Sequence, residues 1–269
     1  MTSAVVLTLL LEGGLLDARA TEATKPNVQL DLTYSELAKR PQLNGLWVPK
    51  GGLMDKGAPP FDPFHSSIGT SLVEFRKKPP PLKPEYVVAP STADQAAKQG
   101  GAASTGVCPP PSGMPGAMTT PYAMEIVQGL GETVALLETS PLPRRIFTDG
   151  RSHPAPDDLN PSYMGHSIGH WEGDTLVVDT IGFNDNRKGK KWQAEPGQRE
   201  APFPRSEQMH LTERMRLTDQ NTFEDHIVVE DPETLTGPWV INLVWSRSSA
   251  DPLEYVCEEN NRGFTPDPK

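Results

Sequence analysis

The sequence predicts a mainly β protein: an antiparallel meander forming a barrel (lipocalin-like is one form) or a sandwich, with a long irregular Pro/Gly-rich N-terminal arm. Three observations carry this. The 269 residues include 29 prolines and 23 glycines, both poor inside helices, so short strands joined by turns are favoured over long helices. From residue 122 onward, strand-length runs rich in β-branched and aromatic residues recur with turn signals between them. Finally, those strands follow one another without the intervening helical patterns of βα units. The length suits one large domain or two small ones.

Residues 1–20 read as a signal peptide or an N-terminal anchor. The apolar run at 4–16 is short for a membrane span, and Ala18-Arg-Ala20 has the small-x-small form of a cleavage site. No Lys or Arg precedes the run, and Glu12 interrupts it. Residues 21–121 form the arm, with one or two helical turns over 34–40, a first strand at Asn44-Gly-Leu-Trp-Val48 and a short helix over 91–98. Its Lys77-Lys-Pro-Pro-Pro-Leu-Lys-Pro84 and Cys108-Pro-Pro-Pro-Ser-Gly113 runs are polyproline-like. Residues 122–269 form the β domain. Strands are expected at 122–128, 133–138, 144–147, 167–171, 176–181, 209–217, 223–230, 239–247 and 253–257.

The densest stretch is the hairpin at 167–181. With Gly173 and Asp174 as its turn, Glu172 pairs with Thr175, His170 with Val177, Ile168 with Asp179 and His166 with Ile181. Alternation then places His166, Ile168, His170, Val177, Asp179 and Ile181 on one face, with Asp179 diagonally between the two histidines. A carboxylate beside imidazole orients a general base or a metal-bound ligand. Two histidines four apart along a strand are about 13 Å apart, too far to clasp one metal.

In the next strand Met209, Leu211, Met215 and Leu217 share the apolar face with Glu213. A loop over 220–222 pairs Asp219 with Phe223 and Leu217 with Asp225, which also turns Asp225 inward. Inward carboxylates are costly unless paired, so they either meet Arg144 or Arg145 or line a polar cavity.

Gly165-His-Ser-Ile-Gly169 has the letters of a serine elbow, but it lies inside a hairpin strand instead of a strand-to-helix turn. No HExxH, CxxC pair, phosphate loop or EF-hand loop occurs, so the sequence names no cofactor. A metal site would need distant residues such as His153, His166 or His210 with a carboxylate. The formal net charge of −10 argues against nucleic acid as a partner. Cys108 and Cys257 close one disulfide in an oxidising compartment, contributing roughly 3–5 kcal/mol. In the cytosol they are buried thiols.

Met124-Glu-Ile-Val-Gln128, Arg144-Arg-Ile-Phe-Thr-Asp-Gly-Arg151, Met164-Gly-His-Ser-Ile-Gly-His-Trp-Glu-Gly-Asp-Thr-Leu-Val-Val-Asp179, Ser206-Glu-Gln-Met-His-Leu-Thr-Glu-Arg214 and Tyr255-Val-Cys-Glu-Glu-Asn-Asn261 together resemble a family of exported bacterial proteins known mainly from open reading frames. The resemblance covers over half of the chain. It implies export and a β-rich fold, and it brings no activity with it. This chain departs from the family pattern by an insertion-like stretch at 186–198.

Two functions follow as expectations. The first is an extracytoplasmic, non-catalytic module: an accessory subunit of a membrane-associated complex or a small-ligand binder, periplasmic or secreted, and held at a membrane only if the N-terminal segment is retained. The second is a periplasmic hydrolase or lyase using His166, His170, Asp179, Glu213 and His210.

Overall fold

A computed structural model describes residues 33–50, 80–87, 113–120, 122–138, 140–187 and 204–252. Within them nine strands form one closed barrel whose spatial order follows the chain. The strands are β1 (Gly45–Pro49), β2 (Met124–Gly129), β3 (Glu132–Leu137), β4 (Arg144–Phe147), β5 (His166–Glu172), β6 (Thr175–Ile181), β7 (His210–Asp219), β8 (Thr222–Glu230) and β9 (Trp239–Ser248). A single helical turn, α1 (Tyr34–Leu37), precedes them, started by a capping box between Thr33 and Glu36.

Alternation builds the barrel wall. On β6, Leu176, Val178 and Thr180 point inward and are buried, while Asp179 and Ile181 face outward. On β7 and β8 the inward set is Leu211, Glu213, Met215, Phe223, Asp225, Ile227 and Val229. Aromatic rings pack across the interior, with Trp47 edge-on to Phe223 at 4.7 Å between centroids and Phe223 stacked on Trp245 at 5.8 Å. The arm contributes to this core as well. Residues 113–120 add Met114, Ala117 and Met118, and Leu82 bridges to Leu235.

The structure revises the expected meander in three places. The sheet is not wholly antiparallel: β4 and β5 run parallel, joined through Ile146↔Ser167 and Phe147↔Ile168. Parity requires this, because alternating directions cannot close around an odd number of strands without one parallel neighbour. Next, β1 comes from the stretch read as arm, and it closes the barrel between β2 and β9. Finally, Leu217 pairs with Phe223 and Met215 with Asp225, two residues away from the expected register, with a bulge between Leu217 and Asp219. A slip of two preserves the face of every side chain, so Glu213 and Asp225 still point inward.

The central hairpin has the expected register throughout, from Glu172↔Thr175 to His166↔Ile181. Gly173 takes φ +60° at the first turn position, as a type II′ hairpin requires. The segments at 1–20, 91–98 and 253–257, residues 188–198 of the 186–198 stretch, and both cysteines, Cys108 and Cys257, lie outside the described residues.

Candidate functional site

Because β4 and β5 are parallel, the chain from 148 to 165 must travel back along the barrel before β5 begins. This crossover lays His153 on the outer wall, against the face that carries His166 and Asp179. His153 Nε2 lies 2.8 Å from Asp179 Oδ1, and His210 Nε2 lies 2.7 Å from Asp179 Oδ2. The other ring nitrogen of His153, Nδ1, is 2.8 Å from His166 Nδ1. At the far end, His210 Nδ1 faces Glu230 at 3.7 Å. The result is one chain of contacts, His166–His153–Asp179–His210, drawn from the crossover and from β5, β6 and β7.

Burial is graded along it. The His153 side chain is 16% exposed, whereas those of Asp179 and His210 are 40% and 37% exposed, so solvent and solutes reach the cluster. Burial pushes the Asp179 carboxyl up, but the hydrogen bonds from His210 and His153 outweigh it and hold the group below its ordinary value. His166 moves down as well: burial disfavours its charged form, and His153 and Arg151 add to the effect.

These contacts define one proton arrangement for the state in which Asp179 is ionised and His153 is neutral. With Asp179 ionised, both imidazoles touching it present an N–H, each from Nε2. Neutral His153 then carries a lone pair at Nδ1, so His166 donates from its own Nδ1. The lone pair of His166 is therefore left at Nε2, which has no hydrogen-bond partner from another described residue.

Beside His166 lies Phe147, its ring centroid 5.3 Å from that of the imidazole. The Arg151 guanidinium sits over the same Phe147 ring at 3.9 Å. Asp149 grips Arg151 through Nε at 2.9 Å and also through Nη2.

A second polar group fills part of the interior. Arg144 donates from Nη1 to Glu213 Oε1 at 2.8 Å and from Nη2 to Glu213 Oε2, both side chains being fully buried. Nη2 also reaches Thr180 Oγ1 at 3.3 Å. Neither carboxylate oxygen of Asp225 is hydrogen-bonded to a described residue. Burial, followed by the adjacent Glu213 charge, pushes the Asp225 carboxyl well up, with Arg144 opposing.

No protein-family model, curated protein or solved structure matches this chain.

Of the five residues expected to act together, the structure unites His166, Asp179 and His210. His170 is separated from them: its side chain is 68% exposed and meets Glu172 at 3.2 Å. It does share a face with His166, as alternation requires, but the strand rise carries it away. Glu213 faces the opposite side of the wall and is committed to Arg144. Arg145, the other arginine considered for it, pairs with Glu132 at the surface. His153 was foreseen only as one member of a scattered metal set, and the crossover makes it the hub. Its signal in the sequence was position alone, a histidine shortly after the Thr148-Asp-Gly150 turn. Among the described residues no group of three His, Cys, Asp or Glu side chains is arranged to hold a metal ion.

Proposed function

We propose that the chain is a hydrolase or lyase whose outer-wall cluster performs general acid–base chemistry, with His166 Nε2 as the base. The single observation that carries this is the Nδ1–Nδ1 contact of His153 and His166 with Asp179 behind His153. A proton taken up at His166 Nε2 is matched by transfer of the Nδ1 proton to His153, whose positive charge then lies against Asp179. A base backed by a second imidazole and a carboxylate gains its driving force without solvent rearrangement. The depressed basicity of His166 keeps it neutral near pH 7, the form in which it can accept a proton. His210 is the second imidazole oriented by Asp179, its Nε2–H donating to Oδ2.

The test combines imidazole ¹⁵N spectra with a turnover panel of carboxylic esters, lactones and β-hydroxy acids. His166 is expected to carry its proton on Nδ1 and His153 on Nε2. Turnover should vanish in His166→Ala and fall by about 10²–10⁴ in Asp179→Asn, while His170→Ala stays at the wild-type level. Turnover persisting in His166→Ala, or an Nε2 proton on His166, defeats the reading. The non-catalytic reading, an accessory subunit or small-ligand binder, gains if no substrate turns over and the protein co-purifies with a membrane complex.

The setting belongs to the same proposal. The resemblance of the 164–179 stretch to exported bacterial proteins, together with Ala18-Arg-Ala20, supports a periplasmic or secreted protein in which Cys108 and Cys257 are joined. Peptide mapping of the native protein without reductant reads both the mature N-terminus and that bond.

A further inference from the structure

Resting on the acid–base reading of His166, we propose that the site takes a small molecule bearing an oxyanion, a carboxylate or a phosphate. Its oxygens are received by the outer edge of Arg151 beside the Phe147 ring, which presents the rest of the molecule to His166 Nε2.

Arg151 is built as a fixed receptor. Its guanidinium has five N–H donors, and Asp149 engages the edge formed by Nε and Nη2. The Phe147 ring covers one face at 3.9 Å. Nη1 has no hydrogen-bond partner among the described residues, and the side chain is 33% exposed. Asp149 is nearly buried, and its hydrogen bonds with Arg151 hold the carboxyl below its ordinary range despite that burial. A guanidinium clamped on one edge and one face keeps little rotamer freedom to lose, so binding an oxyanion at its remaining edge costs less ordering entropy.

The receptor and the base share one surface. His166 touches the Phe147 ring that Arg151 covers, and the Arg151 charge is close enough to weaken His166 as a base. An acceptor for a cation is not offered here, since Asp179 is taken up by two imidazole N–H groups and Asp149 by Arg151.

A functional coupling follows. The charged or titratable groups around His166 are Arg151, Asp149 and His153 on the crossover and Asp179 on β6; β4 presents apolar Phe147 together with Arg145, whose guanidinium lies 5.8 Å from the Phe147 ring and is paired with Glu132. An anion on Arg151 offsets the positive charge that depresses His166, so the bound substrate strengthens its own base. Linkage makes this reciprocal: protonating His166 tightens anion binding by the same factor.

The experiment follows the His166 ring resonances of the full chain through a pH titration with sodium acetate, inorganic phosphate or chloride at equal ionic strength. Acetate or phosphate should raise the His166 midpoint saturably and chloride should not; the more effective of the two identifies the oxyanion. Arg151→Gln should abolish the rise while leaving the ligand-free tautomers of His153 and His166 unchanged. Arg151→Lys, which keeps the charge near Asp149 but lacks the fork, should bind about tenfold more weakly. The inference is overturned if neither anion moves His166 more than chloride does, or if the Arg151→Gln protein responds like the wild type. An altered tautomer pattern in the ligand-free protein would instead remove the proton-transfer reading, so the two failures are distinguishable.

Discussion

Asp225 is a carboxyl sealed inside the barrel without a hydrogen-bond partner among the described residues, next to Glu213, whose charge Arg144 already neutralises. Because its carboxyl is pushed up in the folded protein, the native state holds this proton at pH values where the unfolded chain has released it. The stability tied to Asp225 is therefore fully present below its unfolded value, about 4, and declines as pH rises toward the folded value. Asp225→Asn keeps a neutral group of similar shape. It should match the wild type at low pH and exceed it at pH 7 by on the order of 1–3 kcal/mol, measured by urea denaturation at both pH values. A variant less stable than wild type at pH 7 would mean that the ionised carboxylate has an internal partner. The inward orientation of Asp225 was legible from period-two alternation, which tolerates a register error of two residues. The same arithmetic puts residues four apart on a strand about 13 Å from one another, which excludes a shared metal but did not keep His170 out of the expected site; the structure separates it from His166. What alternation leaves open is which face is the core. Both faces of the central hairpin carry apolar residues, and only the packing of Leu176 and Val178 against the other strands decides it.

The β4–β5 pair is the thinnest part of the wall, with two residue pairs in its ladder, and the crossover is layered over the adjoining face. Its packing depends on Gly169, an inward position on β5 where a Cβ would sit 2.9 Å from Ile146 Cγ2 and 3.3 Å from Leu176 Cδ1. Ile146 is β-branched and stiff, so it has little room to yield. Gly169→Ala should therefore destabilise by about 1–3 kcal/mol, with the loss appearing first as faster amide exchange on β4 and β5. Uniform loss across all strands, with no preference for this pair, would argue against a weak seam. The strand segments were legible because each carries its own pattern, and Arg144–Phe147 was bounded to the residue. The parallel pairing and the path of the crossover were not. They depend on closure of the sheet and on contacts between residues far apart in sequence, such as His153 with Asp179, and no local period encodes those. For that reason the candidate site was half visible, its strand residues grouped and His153 named only among distant candidates for a metal.

Closure joins the first strand to the last, and one side chain fastens the junction. Arg247, near the end of β9, lies opposite Trp47 in the β1–β9 ladder and sets its guanidinium 4.2 Å from the Trp47 ring. It donates from Nη2 to Gln42 O at 2.9 Å, from Nη1 to Asn44 O, and from Nε to Gln220 O at 2.9 Å. Three segments are thereby tied together: the entry to β1, the β7–β8 turn and β9. Gly45, with φ +120°, makes room, since a Cβ there would lie 2.9 Å from Arg247 Nη1. The three acceptors are neutral carbonyls and the side chain is only half-buried, so each bond contributes near the lower end of its usual range. Arg247→Ala should cost about 2 kcal/mol, the sum of weakened hydrogen bonds and a lost cation–π contact. Arg247→Lys should recover less than half of that, because an ammonium cannot reach three carbonyls from one planar fork. If the barrel unfolds as one unit, the urea midpoint falls in Arg247→Ala while the slope is unchanged. A reduced slope would mean that β1 detaches on its own before the remaining eight strands, making closure a late and separable step.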